Sequence, residues 1–367
     1  MKIEGIELRR VNLPLVRPFR TSFGTETVRE ALIVRVETTD GEGWGECVSG
    51  SEPLYSSEFV DSSWLVISTH FAPALLAAGS LDAAQVGPLL AGYKGHRMAK
   101  AALEMAVLDA QLRHAGISFS SYLGGVKAAI APGVSVGIPG SMSELVEIVG
   151  AHLDEGYCRV KLKIEPGWDI AAVAAVRESF GPDLMLQVDA NTAYKRADVN
   201  HLGRLDAFGL LLIEQPLDED DLLGHAELAR HIATPICLDE SIVSARAAAA
   251  AIALEACSIV NIKAGRVGGY LEARRVHDVC AANGVPVWCG GMLETGLGRA
   301  ANLALAALPG FVLPGDISAT NRYYKEDITE PFVLEDGEIT VPTGPGLGVD
   351  VVPAALESLT SETETIS

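Results

Sequence analysis

A chain of 367 residues with 49% apolar content and a formal net charge of −20 has material for one or two domains around a large core. The acidic balance excludes a nucleic-acid partner, whose phosphates demand basic patches. No stretch reaches the roughly 18 uninterrupted apolar residues of a membrane span, so no membrane partner is expected.

The chain begins MKIEGIELRR, which alternates like a strand and lacks a signal-peptide core. The six cysteines form no CxxC pair and read as reduced core residues, so a cytoplasmic protein is expected. Residues 1–125 predict an α+β domain, because antiparallel strands precede helices. Lys2–Leu13 and Ala31–Thr38 are alternating or β-branched, Asp40-Gly41 signals a hairpin, and Gly43–Glu46 continues the second strand. Helical stretches follow near Glu58–Ala78 and His96–His114. In the second, Met98, Ala102, Met105 and Leu108 approximate one face, read as core. The loops Arg17–Gly24 and Ser49–Ser57 are either a lid over a site or solvated surface. As a lid, Arg17 and Arg20 would suit an anionic substrate.

From residue 126 the pattern changes. Lys163, Asp189, Glu214, Asp239 and Lys263 each end a short apolar run, at steps of 26, 25, 25 and 24 residues. A turn and a helix-length stretch follow each, such as Trp168–Ser179, Ala245–Leu254 and Leu271–Asn283. This βαβα succession predicts a parallel sheet and, repeated so often, a (β/α) barrel over residues 126–320. Gly133–Pro139 supplies a first strand, Val285–Gly291 a seventh, and Phe311–Asp316 a poorer eighth. After Asp316 no helix of ordinary length is visible before the strand-like Phe332–Leu334 and Glu338–Val341, so residues 321–367 are expected to return to the first domain. The polar tail Ser358–Ser367 is expected to fray.

Charges at the C-terminal ends of barrel strands read as catalytic, because active sites occupy that face. Lys161 and Lys163 stand two apart and point to one side of their strand. Mutual repulsion and burial would draw a lysine toward neutrality, as a catalytic base requires; the alternative is an ion-paired strand end. Asp189, Glu214 and Asp239, one per consecutive strand, suit a hard divalent cation. With no His or Cys at these positions, Mg²⁺ is favoured over Zn²⁺. Alternatively, the carboxylates simply pair with the lysines. Asn191 and Glu240 adjoin two of the acids and would support them. Strands two and six lie opposite in an eight-stranded barrel, so Lys163 and Lys263 would reach a substrate from two faces. Such a set suits proton abstraction α to a carboxylate. The glycine-rich Gly265–Gly269 and Gly344–Gly348 lack the strand–GxGxxG–helix context of nucleotide binding.

KLKIEPGWD, LQVDANTAY, LLIEQPL, ICLDES and VNIKAGRVGG together resemble the enolase superfamily, muconate-lactonising-enzyme subgroup. Within it, PFRTSFGT, GHRMAKAALEMAVLDA, ESIVSARAA and CGGMLETGLGRAAN are most similar to o-succinylbenzoate synthases that also racemise N-succinylamino or other N-acylamino acids. The resemblance implies a modified (β/α)₇β TIM barrel under an α+β capping domain built from the N-terminal part and the C-terminal stretch. It implies a Lys163/Lys263 acid–base pair tuned by Lys161, and Mg²⁺ on Asp189, Glu214 and Asp239, with Mn²⁺ or Co²⁺ as substitutes. Ser135, Gly291, Met292, Phe19, Phe23 and Tyr55 would line the substrate's distal part, with Arg20 nearby. A small-molecule carboxylate substrate and a homo-oligomer are implied. Racemisation is ranked ahead of synthase activity. Muconate cycloisomerisation is a lesser alternative, and dipeptide epimerisation is disfavoured because Asp316-Ile317-Ser318 lacks a second acid. A non-enzymatic barrel is disfavoured by the intact charge set.

Overall fold

The computed structural model describes residues 1–367. The chain starts with two long antiparallel strands, Ile3–Thr21 and Gly24–Thr38, followed by Gly41–Cys47. The stretch Arg17–Gly24 is therefore the far end of one hairpin rather than a separate loop. Its ladder breaks between Pro14 and Phe19, where Pro14 and Pro18 offer no backbone N–H. Beyond the break the strands pair again and the tip leans on the barrel. Ile138 N donates to Arg20 O at 2.9 Å, and Ser22 Oγ donates to Ala190 O at 3.3 Å.

The fourth strand of this sheet is Thr360–Ile366, antiparallel to Ile3–Thr21 at the sheet edge. The expectation of a frayed tail is thus overturned. A polar segment is held by main-chain pairing, by Trp64 Nε1 donating to Glu364 at 2.6 Å, and by Arg10 donating to Glu362 at 3.0 Å. The N-terminal part and the C-terminal stretch so form one cap.

Helix Arg97–Ala115 packs across Gly41–Cys47. Gly43 and Gly45 make this approach feasible. A Cβ on Gly45 would stand 2.1 Å from Ala102 O, and one on Gly43 2.2 Å from Ala106 O. Both neighbours are helix backbone, which cannot rotate away. Gly45→Ala is expected to cost about 1–3 kcal/mol of stability, read as a lower urea midpoint.

Seven parallel strands follow in sequential order: Gly133–Val136, Arg159–Lys163, Met185–Asp189, Ile213–Glu214, Ile236–Leu238, Ile259–Ile262 and Val287–Cys289. The eighth segment, Phe311–Asp316, has little regular pairing but bridges the open edges. Asp316 N donates to Cys289 O at 2.8 Å, and Gly133 N donates to Gly315 O at 2.8 Å. The result is the modified barrel with its cap. Helices Ile170–Phe180, Ala245–Ala253 and Tyr270–Ala282 occupy the predicted stretches; Ser244 caps one through Ala247 N. In the C-terminal stretch only Ile339–Thr340 of the two strand-like segments pairs as a strand, and a seven-residue helix, Pro353–Leu359, too short to show a periodic face, precedes the last strand.

Period-two alternation places Arg159, Lys161 and Lys163 on one side of their strand, facing inward. Trp288, fully buried, stands below them with Leu212, Cys237 and Ile259. This apolar floor lies under the charges. No helix is long and apolar enough to cross a membrane.

Candidate active site

The charged strand ends share one depth. Lys163 is in register with Asp189, and Asp189 with Glu214. Asp189, Glu214 and Asp239 are at most 1% exposed, while Lys161, Lys163 and Lys263 are 2%, 8% and 6% exposed. Lys163 Nζ donates to Asp189 at 2.6 Å and to Asn191 Oδ1 at 2.6 Å. Lys161 Nζ reaches Glu214 at 2.9 Å, Asp189 at 3.1 Å and Asp316 at 2.6 Å. Lys263 Nζ donates to Asp239 at 2.8 Å and to the Tyr55 hydroxyl at 3.1 Å.

These contacts alter the electrostatics expected from sequence. Burial alone would favour the neutral amine of Lys161, but Asp316, Glu214 and Asp189 outweigh it and hold the pKa above the lysine norm. Lys263 is likewise raised: burial is outweighed by Tyr55, Glu214, Glu240 and Asp189. The expected drift of Lys161 toward neutrality is therefore not met in this arrangement. Its close neighbours are anions, which the spacing of two lysines on one strand does not reveal. Among the acids, burial would raise Asp189, yet Lys163 and Lys161 depress it below the carboxylate range. Burial and Asp189 raise Glu214. Glu240 is pushed up to about 7 by burial and by Asp189.

Lysine ammonium groups stand among the carboxylates, so no three acidic side chains close into a cation cage as arranged. The donor chemistry nevertheless fits a hard cation. The three acids are oxygen donors on neighbouring strands, and Glu240 Oε2 is buried beside them with no partner. Asn191 Nδ2 holds the other Glu240 oxygen at 2.9 Å.

The cap closes over this floor and leaves a cavity of about 340 Å³. Lys161, Lys163, Lys263 and Asn191 line it from the barrel, with Ser135, Gly291 and Met292. Phe19, Phe23 and Tyr55 line it from the cap, so the hairpin tip and the stretch Ser49–Ser57 both reach the cavity. Arg20 is absent from this wall; it is about half exposed and pairs with Glu165 at 2.8 Å.

Sequence reading passed over four contributors. Arg266 is buried beneath Asp239, ion-paired to it, and anchored by Nε to Ile242 O at 2.9 Å and Nη2 to Asn261 O at 2.8 Å. Asn261 Nδ2 holds Glu214 at 2.6 Å. Arg159 Nη1 lies 2.8 Å from Asp316, which occupies that acid together with Lys161. Arg29 reaches the cavity wall from the cap. Arg159 was within reach of the alternation argument, since RVKLK puts it in line with both lysines. Arg266, one helical turn past Lys263, has no such signal.

Residues 4–124 match the mandelate racemase/muconate lactonizing enzyme N-terminal domain, and residues 144–355 match the enolase C-terminal domain-like family. The chain is 66% identical to an N-succinylamino acid racemase of Amycolatopsis sp, over 98% of each chain. It is 46% identical to an o-succinylbenzoate synthase of Geobacillus kaustophilus, over 98% of this chain and 96% of that one. The crystal structure of an enolase-superfamily member from Listeria innocua superposes with a TM-score of 0.95 at 40% identity, over 100% of this chain and 99% of that one. With both domain families matched and a cap and barrel shared over the full length, this chain is an enzyme of the enolase superfamily, in its mandelate racemase/muconate lactonizing enzyme branch.

Proposed function

We propose that this enzyme is a divalent-cation-dependent racemase of N-acylamino acids, with N-succinylamino acids as its main substrates, and that the same site also forms o-succinylbenzoate by dehydration. One observation carries the reading: Lys163 and Lys263, from the second and sixth barrel strands, line one cavity above three buried carboxylates. Two of the relatives it resembles are named for these two reactions.

In racemisation one lysine takes the α-proton. The C–H bond breaks and its electron pair moves into the substrate carboxylate, giving an enediolate. The other lysine then delivers a proton to the opposite face and a new C–H bond forms. Dehydration shares the first half: Lys163 takes the proton, the enediolate's electron pair then forms the Cα–Cβ double bond as the C–O bond breaks, and the departing hydroxyl takes the proton from Lys163 and leaves as water. Lys263 stays charged and holds the developing anion. Asp189, Glu214 and Asp239 would hold Mg²⁺, with Mn²⁺ or Co²⁺ as substitutes, and when bound it would supply positive charge to the substrate carboxylate. Tyr55 and Arg266 fix Asp239 and Lys263 relative to each other.

Asp316 separates N-acyl substrates from those with a free amine. Both its oxygens face cations, Oδ1 toward Arg159 and Oδ2 toward Lys161. No free carboxylate at that position awaits an ammonium group, so an acylated, uncharged nitrogen suits the site.

The test is polarimetry with N-succinyl-L-phenylalanine. Protein stripped by a chelator is expected to lose rotation-changing activity by at least ~10³-fold, and added Mg²⁺ to restore it. Full activity after exhaustive chelation would overturn the cation dependence. Inactivity with Mg²⁺ on every N-acylamino acid tried would overturn the racemase reading.

A further inference from the structure

We propose that Glu46 of the cap is a positioning residue: it fixes the barrel segment that carries Gly291, Met292 and Leu293 into the cavity wall, and so sets how tightly substrate binds. The choice of substrate rests on the N-acyl reading above; the hold on the segment does not. Glu46 lies on the cap strand Gly41–Cys47, is 4% exposed, and does not itself line the cavity.

The segment runs between two fixed ends. At Gly291 a Cβ would stand 2.4 Å from Asp316 O, so the chain has no room to shift that way. At the other end Thr295 is fully buried. Its backbone N donates to Glu46 Oε1 at 3.0 Å, and its hydroxyl donates to Oε2 at 2.7 Å. Gly298 N donates to the same Oε2 at 3.0 Å. Thr295 is the N-cap of helix Gly296–Ala306, and amides at a helix start have no partner within the helix. Glu46 thus supplies acceptors that the helix cannot. Gly298 leaves room for it, since a Cβ there would stand 2.8 Å from Oε2.

Between these ends Leu293 has a φ of +57°. The left-handed region costs a residue with a side chain free energy, and it persists only where the surroundings impose it. The Tyr324 hydroxyl donates to Leu293 O, and Arg299 Nη2 donates to Glu294 O at 2.9 Å. Those grips come from residues that follow the segment in the chain. Glu46 adds one from the cap, 249 residues away from Thr295. With Glu46 withdrawn, Leu293 is free to relax and the wall moves with it. Burial pushes the Glu46 carboxyl up to about 7, with the Thr295 hydroxyl opposing and Glu294 adding to the rise. Assays run above that value keep both oxygens free to accept.

The experiment follows amide hydrogen exchange over residues 291–298 by mass spectrometry, and kcat and KM for N-succinyl-L-phenylalanine. It uses the Mg²⁺-loaded wild type, Glu46→Asp and Glu104→Asp. Aspartate keeps the acid but withdraws it by one methylene. Glu104 is the control: it is also buried, and it accepts from Leu271 N at 3.0 Å at the start of helix Tyr270–Ala282, a stretch that does not line the cavity. Glu46→Asp is expected to speed exchange in the segment about 10- to 100-fold. It is expected to raise KM about tenfold and leave kcat within about threefold, because the lysines and the three acids are untouched. Glu104→Asp is expected to leave segment exchange and KM within about threefold of wild type. A lower kcat at unchanged KM, or equal effects in the two variants, would overturn the proposal. The wild type alone also tests it, so a misfolded Glu46→Asp does not rescue it: Thr295 and Gly298 amides that exchange as fast as free loop amides would overturn the hold. Inactivity of the wild type on every N-acylamino acid would overturn the racemase reading instead, and the exchange comparison would still judge Glu46.

Discussion

Lys163→Ala is expected to lower racemisation by about 10³-fold or more, and Lys263→Ala to do the same. Each lysine lines the cavity, and each serves a different face of the α-carbon in the proposed cycle. Neither has a substitute. Lys161, the nearest amine to Lys163, is held by Asp189, Glu214 and Asp316 on the barrel floor. Asn191, which accepts from Lys163, has no basic nitrogen to offer and is itself tied to Glu240. Arginine is not expected to rescue either site, because a guanidinium stays protonated and cannot act as a base. The two variants should differ in what survives. With one lysine gone, the other can still exchange the proton of the enantiomer that faces it. Proton NMR in D₂O would then show exchange of one enantiomer in Lys163→Ala and of the opposite one in Lys263→Ala. Racemisation within tenfold of wild type in either variant would remove that lysine from the mechanism.

Trp288→Ala is expected to cost about 3–5 kcal/mol of folding stability, measured by urea unfolding. Trp288 is fully buried in the barrel floor with Leu212, Cys237 and Ile259. Removing its indole empties a large volume between short strands that cannot close in. The ring also carries polar duties. Nε1 donates to Cys237 Sγ at 3.3 Å. The Lys161 ammonium sits 4.9 Å from the ring centroid and the Arg159 guanidinium 5.4 Å. Both are cation–π distances, so the ring stabilises the cations that occupy Asp316. Trp288→Phe should therefore lose less stability than Trp288→Ala, since a ring remains beneath the cations. A loss below ~1 kcal/mol for the alanine variant would show that the floor collapses freely and that the packing argument is wrong.

Legibility in the sequence followed physical range. The five charges at near-constant spacing exposed the barrel because strand, turn and helix repeat with a fixed length. The two-residue period placed Lys161 and Lys163 together because strands alternate sides. Arg159 obeyed the same rule. What stayed hidden depended on partners distant in sequence. Asp316 lies over 150 residues from Lys161, so the raised pKa of that lysine could not be read from the lysine pair alone. Arg20 looked suited to an anion until Glu165, on another domain, was seen to hold it. Arg29 sits in an ordinary VRE stretch, and Glu294, one of the acids that stabilise its buried charge, lies far along the chain. The tail Thr360–Ile366 is polar and carries no core pattern. Its order comes from main-chain pairing with a strand at the opposite end of the chain.

The central claim is that two lysines exchange a proton across one carbon. It is tested most directly by converting a pure N-succinylamino acid enantiomer in D₂O and examining the product at the earliest times. Two bases predict a product that carries solvent deuterium at the α-carbon from its first appearance, because the delivered hydrogen comes from the second lysine. A product that keeps the substrate's own protium would mean one base carries the hydrogen across, contradicting the account.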